Sequence, residues 1–517
     1  MPTLTLAADQ IGKFRNGKYN NLRAIHLDEI KSEVDAKNID VELRAFQNEP
    51  RHNWPRVLLF ASPQVLTDRA KHPLSSIWIS LLLDCAKFGL FATIVGDEAH
   101  MHLQQGLTFR KEFLDLKQVL FDRLKAENCV PAILYMTATM TDDYRVQIEN
   151  LWGFQFTCFQ WAEAEALARR NIELRFTIRS CATKLIKSAA KKHFSEATLS
   201  KAMFFTNKRS RVSVLVDHVL DAIEEAQGLQ HNYLVLGLHG KQSLEDKKVN
   251  IQLFCNKVDH ALCARLIGLV STRGCGDTGV DCCPGQEMID GEIVVFPEVK
   301  LIVAEGMPST LANLLQEMGR MRCSDSCCHL LIASVEDYAY MRQRSYESYG
   351  TEFTLLQLDK VLQFLALSTQ CWHYFLNAEH GRVGTETTQP TTCNNNCPVC
   401  SGERKKMTLT VDRGKLCDAL LKLLWSSPKP LVDLPSLIFK DADLRESVFG
   451  KGKRVNLYNV EMLVLQLCAS GLIKCSEKRE KDGFKSYAGL GWSKEHCTAS
   501  IYVESNWELI DTGTVLS

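Results

Sequence analysis

Short apolar runs recur along this chain, separated by longer stretches in which apolar residues return at helical spacing. The first cycle carries Arg56-Val57-Leu58-Leu59-Phe60, then Leu90-Phe91-Ala92-Thr93-Ile94-Val95, then Pro131-Ala132-Ile133-Leu134-Tyr135-Met136. Continuous apolar runs of this length are what a strand covered on both faces looks like, and strands alternating with helices predict a parallel α/β sheet. A second cycle places strands at Lys201-Ala202-Met203-Phe204-Phe205, Tyr233-Leu234-Val235-Leu236, Leu266-Ile267-Gly268-Leu269-Val270 and Lys300-Leu301-Ile302-Val303-Ala304. From about Glu352 the period turns helical, breaks at Gly381 to Pro390 in a polar, cysteine-bearing loop, and resumes in a last compact region from about Leu409. There, Leu416 to Trp425 and Val460 to Ile473 carry helical spacing, and a charged tip with the turn signal Asp482-Gly483 follows. Helices leading into a β-hairpin predict a winged helix.

The chain divides on this pattern into residues 1–171, 172–345, 346–402 and 403–517. Its 517 residues suit several domains with separate cores. The 61 basic and 61 acidic side chains cancel, so a nucleic-acid site must be a local groove and not a whole-protein field. Met1-Pro2-Thr3-Leu4 starts no basic and then apolar leader, and Asp84 and Lys87 interrupt the most apolar stretch, so neither a signal peptide nor a membrane span is expected. Twenty cysteines, with neighbours at Cys282-Cys283 and Cys327-Cys328, read as reduced thiols. They predict an intracellular protein.

Asp97-Glu98-Ala99-His100 follows directly on the second apolar run, which is how a buried parallel strand delivers acids to the carboxyl edge of a sheet. Asp97 is placed to hold Mg²⁺ against phosphate oxygens, and Glu98 to orient and deprotonate an attacking water, with His100 reporting on the site. A phosphate-cradling G-x-x-x-x-G-K-[ST] loop belongs upstream of such a pair, yet no Gly-Lys pair in this sequence is followed by Ser or Thr. Thr137-Ala138-Thr139 lies just past the third run, where hydroxyls can bond both the carboxylates and a nucleic-acid segment. Gln316-Glu317-Met318-Gly319-Arg320-Met321-Arg322 comes late in the second cycle, and a guanidinium there can reach an interdomain γ-phosphoryl, an effect worth about a thousandfold or more in rate.

The order Ser62-Pro63-Gln64, Asp97-Glu98-Ala99-His100, Thr137-Ala138-Thr139 and Gln316 to Arg322 resembles a superfamily 2 helicase, and specifically the RecQ family of DNA helicases. Thr206-Asn207-Lys208-Arg209, His239-Gly240, Ser271-Thr272 and Gly279-Val280-Asp281 extend the resemblance over nearly the whole chain. It implies two tandem RecA-like domains, the first incomplete, then a zinc-binding helical subdomain and a winged helix. It further implies that Asp97, Gly279, Asp281 and Arg320 serve ATP and Mg²⁺, and that Gln316, Arg320 and Arg322 act in catalysis. Arg322 falls one place early against the family's Q-x-x-G-R-x-x-R, about a quarter turn of helix, so Arg320 is the stronger finger. Gln104-Gln105-Gly106 and Phe109-Arg110 match the family's aromatic-rich loop, with Gln105 in place of its Trp. Phe109 and Arg110 remain to stack on and pair with single-stranded DNA. Pro2 to Gln10 looks like the motif that follows the ATP-binding loop, so the chain is expected to start downstream of that loop.

Cys393-x₃-Cys397-x₂-Cys400 and the earlier Cys371 supply four thiolates for one tetrahedral Zn²⁺, and the RecQ family builds such a site from one early cysteine and a later trio. His373 is the alternative fourth ligand. In the last region Lys451, Lys453, Arg454, Lys478, Arg479 and Lys481 are candidates for phosphate contacts. The resemblance implies an ATP-dependent 3′–5′ helicase acting on single-stranded and forked duplex DNA. The missing loop leaves a second reading, a nucleic-acid-binding module that hydrolyses ATP near background.

Overall fold

The computed structural model describes residues 22–50, 56–68, 70–104, 106, 111–137, 139, 141–156, 169–178, 182–195, 200–227, 233–255, 266–273, 285–289, 292–322, 326–348, 350–379, 393, 395–402, 423, 429–449, 451, 455–479 and 499–505. Its amino-terminal part holds two separate parallel strand pairs. β1 (Leu22–His26) runs beside β2 (Arg56–Phe60), and β3 (Thr93–Asp97) beside β4 (Ala132–Met136). Helices α1 (Glu33–Ala45), α2 (Ser75–Lys87) and α3 (Asp142–Trp152) close a core in which Trp78, Ile79, Leu81, Tyr144, Ile148 and Trp152 are buried and against which Ile94, Ile133 and Tyr135 pack. Side chains alternate along a strand, so the opposite face of β3 and β4 carries Val95, Leu134 and Met136, which are 48%, 49% and 43% exposed.

The second cycle forms one six-stranded sheet, every neighbouring pair parallel. Its members are β5 (Ile172–Ile178), β6 (Lys201–Thr206), β7 (Leu234–Leu238), β8 (Leu266–Thr272), β11 (Val299–Glu305) and β12 (Cys327–Ala333), in the order β5-β12-β11-β6-β8-β7. Strand β6 is buried along its whole length, as expected for a strand covered on both faces. A hairpin of β9 (Gly285–Ile289) and β10 (Glu292–Phe296) precedes β11. Helices α4 (Ala182–Phe194) and α5 (Arg211–Gln227) cover one face with Ile186, Phe194, Leu215 and Val219. On the other face packs α6 (Leu311–Met318), started by the Thr310 hydroxyl accepting from the Asn313 N–H.

Helices α7 (Val335–Tyr346), α8 (Thr351–Leu367) and α9 (Trp372–Glu379) continue this second core. Last come α10 (Leu434–Lys440), α11 (Ala442–Phe449), α12 (Leu457–Ala469) and an antiparallel sheet of β13 (Lys429–Pro430), β15 (Ala499–Ser505) and β14 (Ile473–Arg479). Helix α12 opens with a reciprocal Asn456–Asn459 capping box. The sequence pattern predicts helices followed by a hairpin with its charged tip at Glu477 to Lys485, but β14 runs on through Glu477 to Arg479 and its antiparallel partner β15 begins only at Ala499. The Asp482-Gly483 turn and most of Leu416 to Trp425 lie outside the described residues. Among the described residues no helix is long and apolar enough to cross a membrane.

The observed strands differ from the sequence reading at several places. Strand β3 begins at Thr93 and not at Leu90, because the Leu90 and Phe91 N–H groups both turn back to the Cys85 carbonyl and finish α2. Six strands were not expected at all: β1, β5, β9, β10, β12 and β13.

Candidate functional site

Strand β3 ends on Asp97, and the chain turns sharply there. Glu98 takes a left-handed backbone with φ of 51°, an uncommon conformation for a residue with a side chain, and its N–H donates to Asp97 Oδ1 at 2.9 Å. The Ala99 N–H reaches across to the Met136 carbonyl at 2.9 Å, which ties this turn to the end of β4. Gly96 is needed just before it: a Cβ at that position would lie 2.2 Å from the Tyr135 ring. Backbone strain beside two carboxylates is the kind of feature that clusters at working sites.

His100 is fully buried, and both ring nitrogens are engaged. One lies 2.7 Å from Thr137 Oγ1, and the other meets the side-chain amide of Gln316 on α6, in the second sheet domain. Burial holds the imidazole down to a pKa of about 3, so it is neutral in neutral solution and links the two domains by hydrogen bonds rather than by charge. The Glu98 carboxyl is pushed above its ordinary range by burial first and by Asp97 second, while Arg320 pulls it back. A carboxylate raised toward neutrality is suited to accept a proton from water. Asp97, Glu98, His100, Thr137, Gln316 and Arg320 are thus brought to one cleft between the two sheets. Thr139 is buried beside it, with its N–H donating to Thr137 Oγ1 at 3.2 Å. Arg322 is exposed just beyond the buried Met321.

Beneath this cleft lies a charged network that sequence reasoning did not find. Glu317 is completely buried; one carboxylate oxygen accepts from Arg273 Nε at 2.5 Å, and the other lies 3.1 Å from His329 Nε2. Arg273 also donates to Asn207 Oδ1 at 2.7 Å, and Arg211 forms two bonds to the buried Glu305. The guanidinium of Arg273 and contact with His329 hold the Glu317 carboxyl below its ordinary range, against the opposing effect of burial. The pairing fixes the end of α6, which carries Gln316 on one side and Arg320 on the other. Only the neighbouring glutamate in Gln316-Glu317 could have signalled it, since its partners come 44 residues before and 12 after.

Gly279, Asp281, Phe109 and Arg110 lie outside the described residues. Lys478 and Arg479 sit on β14, at the carboxyl end of the described strand.

A second constellation gathers Cys371, His373, Cys393 and Cys397, whose ligand atoms all lie within 4.8 Å of one another and whose residues are all buried. His373 donates from Nε2 to the Ile172 carbonyl at 2.8 Å, which leaves the buried Nδ1 to face the thiols. That is the outer hydrogen bond a metal-binding imidazole uses to fix its tautomer. Three thiolates and one imidazole suit tetrahedral Zn²⁺. Cys400, expected from the sequence as the fourth thiolate, lies outside this gathered group, and its backbone N–H points to Cys397 Sγ at 3.5 Å. The anchoring of the imidazole by Ile172 accounts for His373 occupying the inner position.

No protein-family model matches the chain, and no curated protein sequence matches it. Among solved structures it is similar to the DNA-bound helicase MrfA, with 16% identity over 71% of this chain and 47% of that one, at a TM-score of 0.45. It is also similar to Mss116p bound to single-stranded RNA and AMP-PNP, with 20% identity over 65% of this chain and 59% of that one, TM-score 0.42. For Mycobacterium smegmatis Lhr bound to single-stranded DNA and AMP-PNP the figures are 14%, 74%, 47% and 0.41. The chain spans 47% and 55% of the length of the two MrfA structures.

Proposed function

We propose that this protein is an ATP-dependent 3′–5′ DNA helicase of RecQ type, an intracellular enzyme, nuclear in a eukaryote, that acts on single-stranded and forked duplex DNA. The observation that carries this reading is the contact of Gln316 with His100 beside Glu98. It joins the acids at the end of one sheet to the Gln316–Arg320 helix end of the other, so that a change at either side is felt at the other. ATP with Mg²⁺ would supply the phosphoryl group to be transferred and the charge that offsets its oxygens.

In this reading Asp97 is the metal-side carboxylate. Glu98, with its raised proton affinity, takes the proton of the attacking water. Arg320 stabilises charge that develops on the transferred group, and the neutral His100 keeps Thr137 and Gln316 in register. The zinc cluster is structural: Cys371, His373, Cys393 and Cys397 would hold the ion, and the Asn396 carbonyl accepts from the Leu174 N–H at 2.8 Å, pinning the module to β5.

The test is single-strand-stimulated ATP hydrolysis by the full chain and by Glu98→Gln. Turnover that falls by about a thousandfold in the variant, with DNA binding intact, is the expected result. A second reading, nucleic-acid binding without turnover, is favoured by the lack of any G-x-x-x-x-G-K-[ST] in the 517 residues. Background hydrolysis by both proteins with undiminished DNA binding would select it.

A further inference from the structure

We propose that Cys468 and Cys475 are a redox modification site, forming a reversible disulfide that fastens the last turn of α12 to the start of β14. The two sulfurs lie 3.9 Å apart, in contact, and both residues are partly buried. A rigid corner holds them there. Helix α12 turns into β14 through Gly471, whose φ of 75° suits a residue without a side chain, and the flanking Leu472 and Ile473 are 5% and 2% exposed.

The backbone of Cys475 is fixed from a third direction. Its carbonyl accepts from Arg342 Nη2 at 3.2 Å and from the Tyr346 hydroxyl at 3.3 Å, both on α7 of the second sheet domain. Arg342 Nη1 in turn donates to Asp359 Oδ1 at 2.9 Å and to the Tyr338 hydroxyl at 2.9 Å. The adjoining Cys468 thiol lowers the proton affinity of Cys475, with help from Arg342 and the Tyr338 hydroxyl, against burial and Asp359. Cys468 is shifted the opposite way. The contact itself is what a redox pair needs: a sulfur oxidised at Cys475 has the Cys468 sulfur already beside it to resolve the intermediate.

With hydrogen peroxide as oxidant the step balances. The Cys475 thiolate attacks one peroxide oxygen, the O–O bond breaks, and hydroxide leaves, giving a sulfenic acid. The Cys468 sulfur then attacks the Cys475 sulfur, and the sulfenic hydroxyl leaves with the Cys468 proton as water, while the first hydroxide takes up the proton that Cys475 released and becomes the second water. Two thiols lose one electron each to the sulfur–sulfur bond, and one peroxide becomes two waters. The ring so closed is short, so it removes little chain entropy from the unfolded state and remains open to reduction.

Lys474 lies between the two cysteines, so trypsin puts them on different peptides, residues 455–474 and 475–478. The full chain is exposed to stoichiometric hydrogen peroxide, alkylated, cleaved with trypsin and mapped by mass spectrometry without reductant. The expected result is a linked pair of those peptides, formed before the other cysteines are consumed and lost on adding dithiothreitol. In Cys468→Ser, Cys475 should accumulate instead as a sulfenic acid trapped by dimedone. If both cysteines are still alkylated after other thiols have reacted, or if Cys475 passes to higher oxides with no link formed in the unaltered chain, the proposal fails. The unaltered chain alone decides between these outcomes, whether or not the variant folds.

Discussion

The two sheets that meet at the cleft are built on the same helix-and-strand alternation, but they are covered very differently. The six-stranded sheet has helices on both faces, and β6 at its interior is buried from end to end. Among the described residues the first region has two strand pairs not hydrogen-bonded to each other, and one face of β3–β4 leaves Val95, Leu134 and Met136 about half exposed. Yet that thinner region carries the two carboxylates. The complete sheet carries the amide and guanidinium that approach them, seated on the Glu317 network. The difference teaches that the cleft is held from one side: its geometry is fixed in the second domain and presented to the first.

The largest expected effect is confined to the second domain. Chelating zinc, or replacing Cys393 by Ser, removes an interaction on the order of 10 kcal/mol from the module. His373 and Asn396 bond to Ile172 and Leu174 at the start of β5, so hydrogen exchange should rise sharply in β5 and stay unchanged in β3 and β4. Equal loosening of both regions would break the comparison. Next comes Glu317→Ala, which strands the buried Arg273 and should cost about 3–5 kcal/mol. Thermal unfolding followed by limited proteolysis should show the six-stranded region failing first, reversing the order in the unaltered chain.

Acid should separate the regions in the opposite sense. His100 and His102 are both held at about 3 by burial, against an ordinary value of 6.5, and His102 is packed against the Phe113, Tyr135 and Trp152 rings. Between those values the unfolded chain binds protons that the folded one refuses, so this contribution is whole above pH 6.5 and lost as the pH falls from 6.5 toward 3. The loss is on the order of a few kcal/mol. Glu317 is lowered from 4.5, so its contribution persists until the pH drops below that value. Region-resolved hydrogen exchange at pH 5, with the fold still native by circular dichroism, should find protection in the first region reduced and that of the six-stranded sheet unchanged.

How much of this was legible in the chain depends on how local the signal was. The end of β3 at Asp97, the cores of β6, β8 and β11, and the cysteine loop all announce themselves in short apolar runs or fixed spacings. Strand β5, Ile-Glu-Leu-Arg-Phe-Thr-Ile, alternates as a strand with one partly exposed face does and lacks the continuous apolar run that marks its neighbours in the sequence. Strand β12 opens with two cysteines and a histidine, which hid its apolar second half. The Arg273–Glu317–His329 group and the inward place of His373 depend on residues far apart in sequence, which no spacing rule joins.

The contact between His100 and Gln316 is what makes the two regions one site, and nitrogen-15 resonances of the histidine rings observe it directly. The protein has 14 histidines, and His100→Gln assigns the one in question. The expected result is a His100 ring that stays neutral on lowering the pH through 5, whose nitrogen shifts move when Gln316 is replaced by Ala, and whose titration midpoint then rises as water enters the cleft. A His100 ring that titrates near 6.5, with nitrogen shifts indifferent to Gln316→Ala, would contradict the joining of the two sheets at this point.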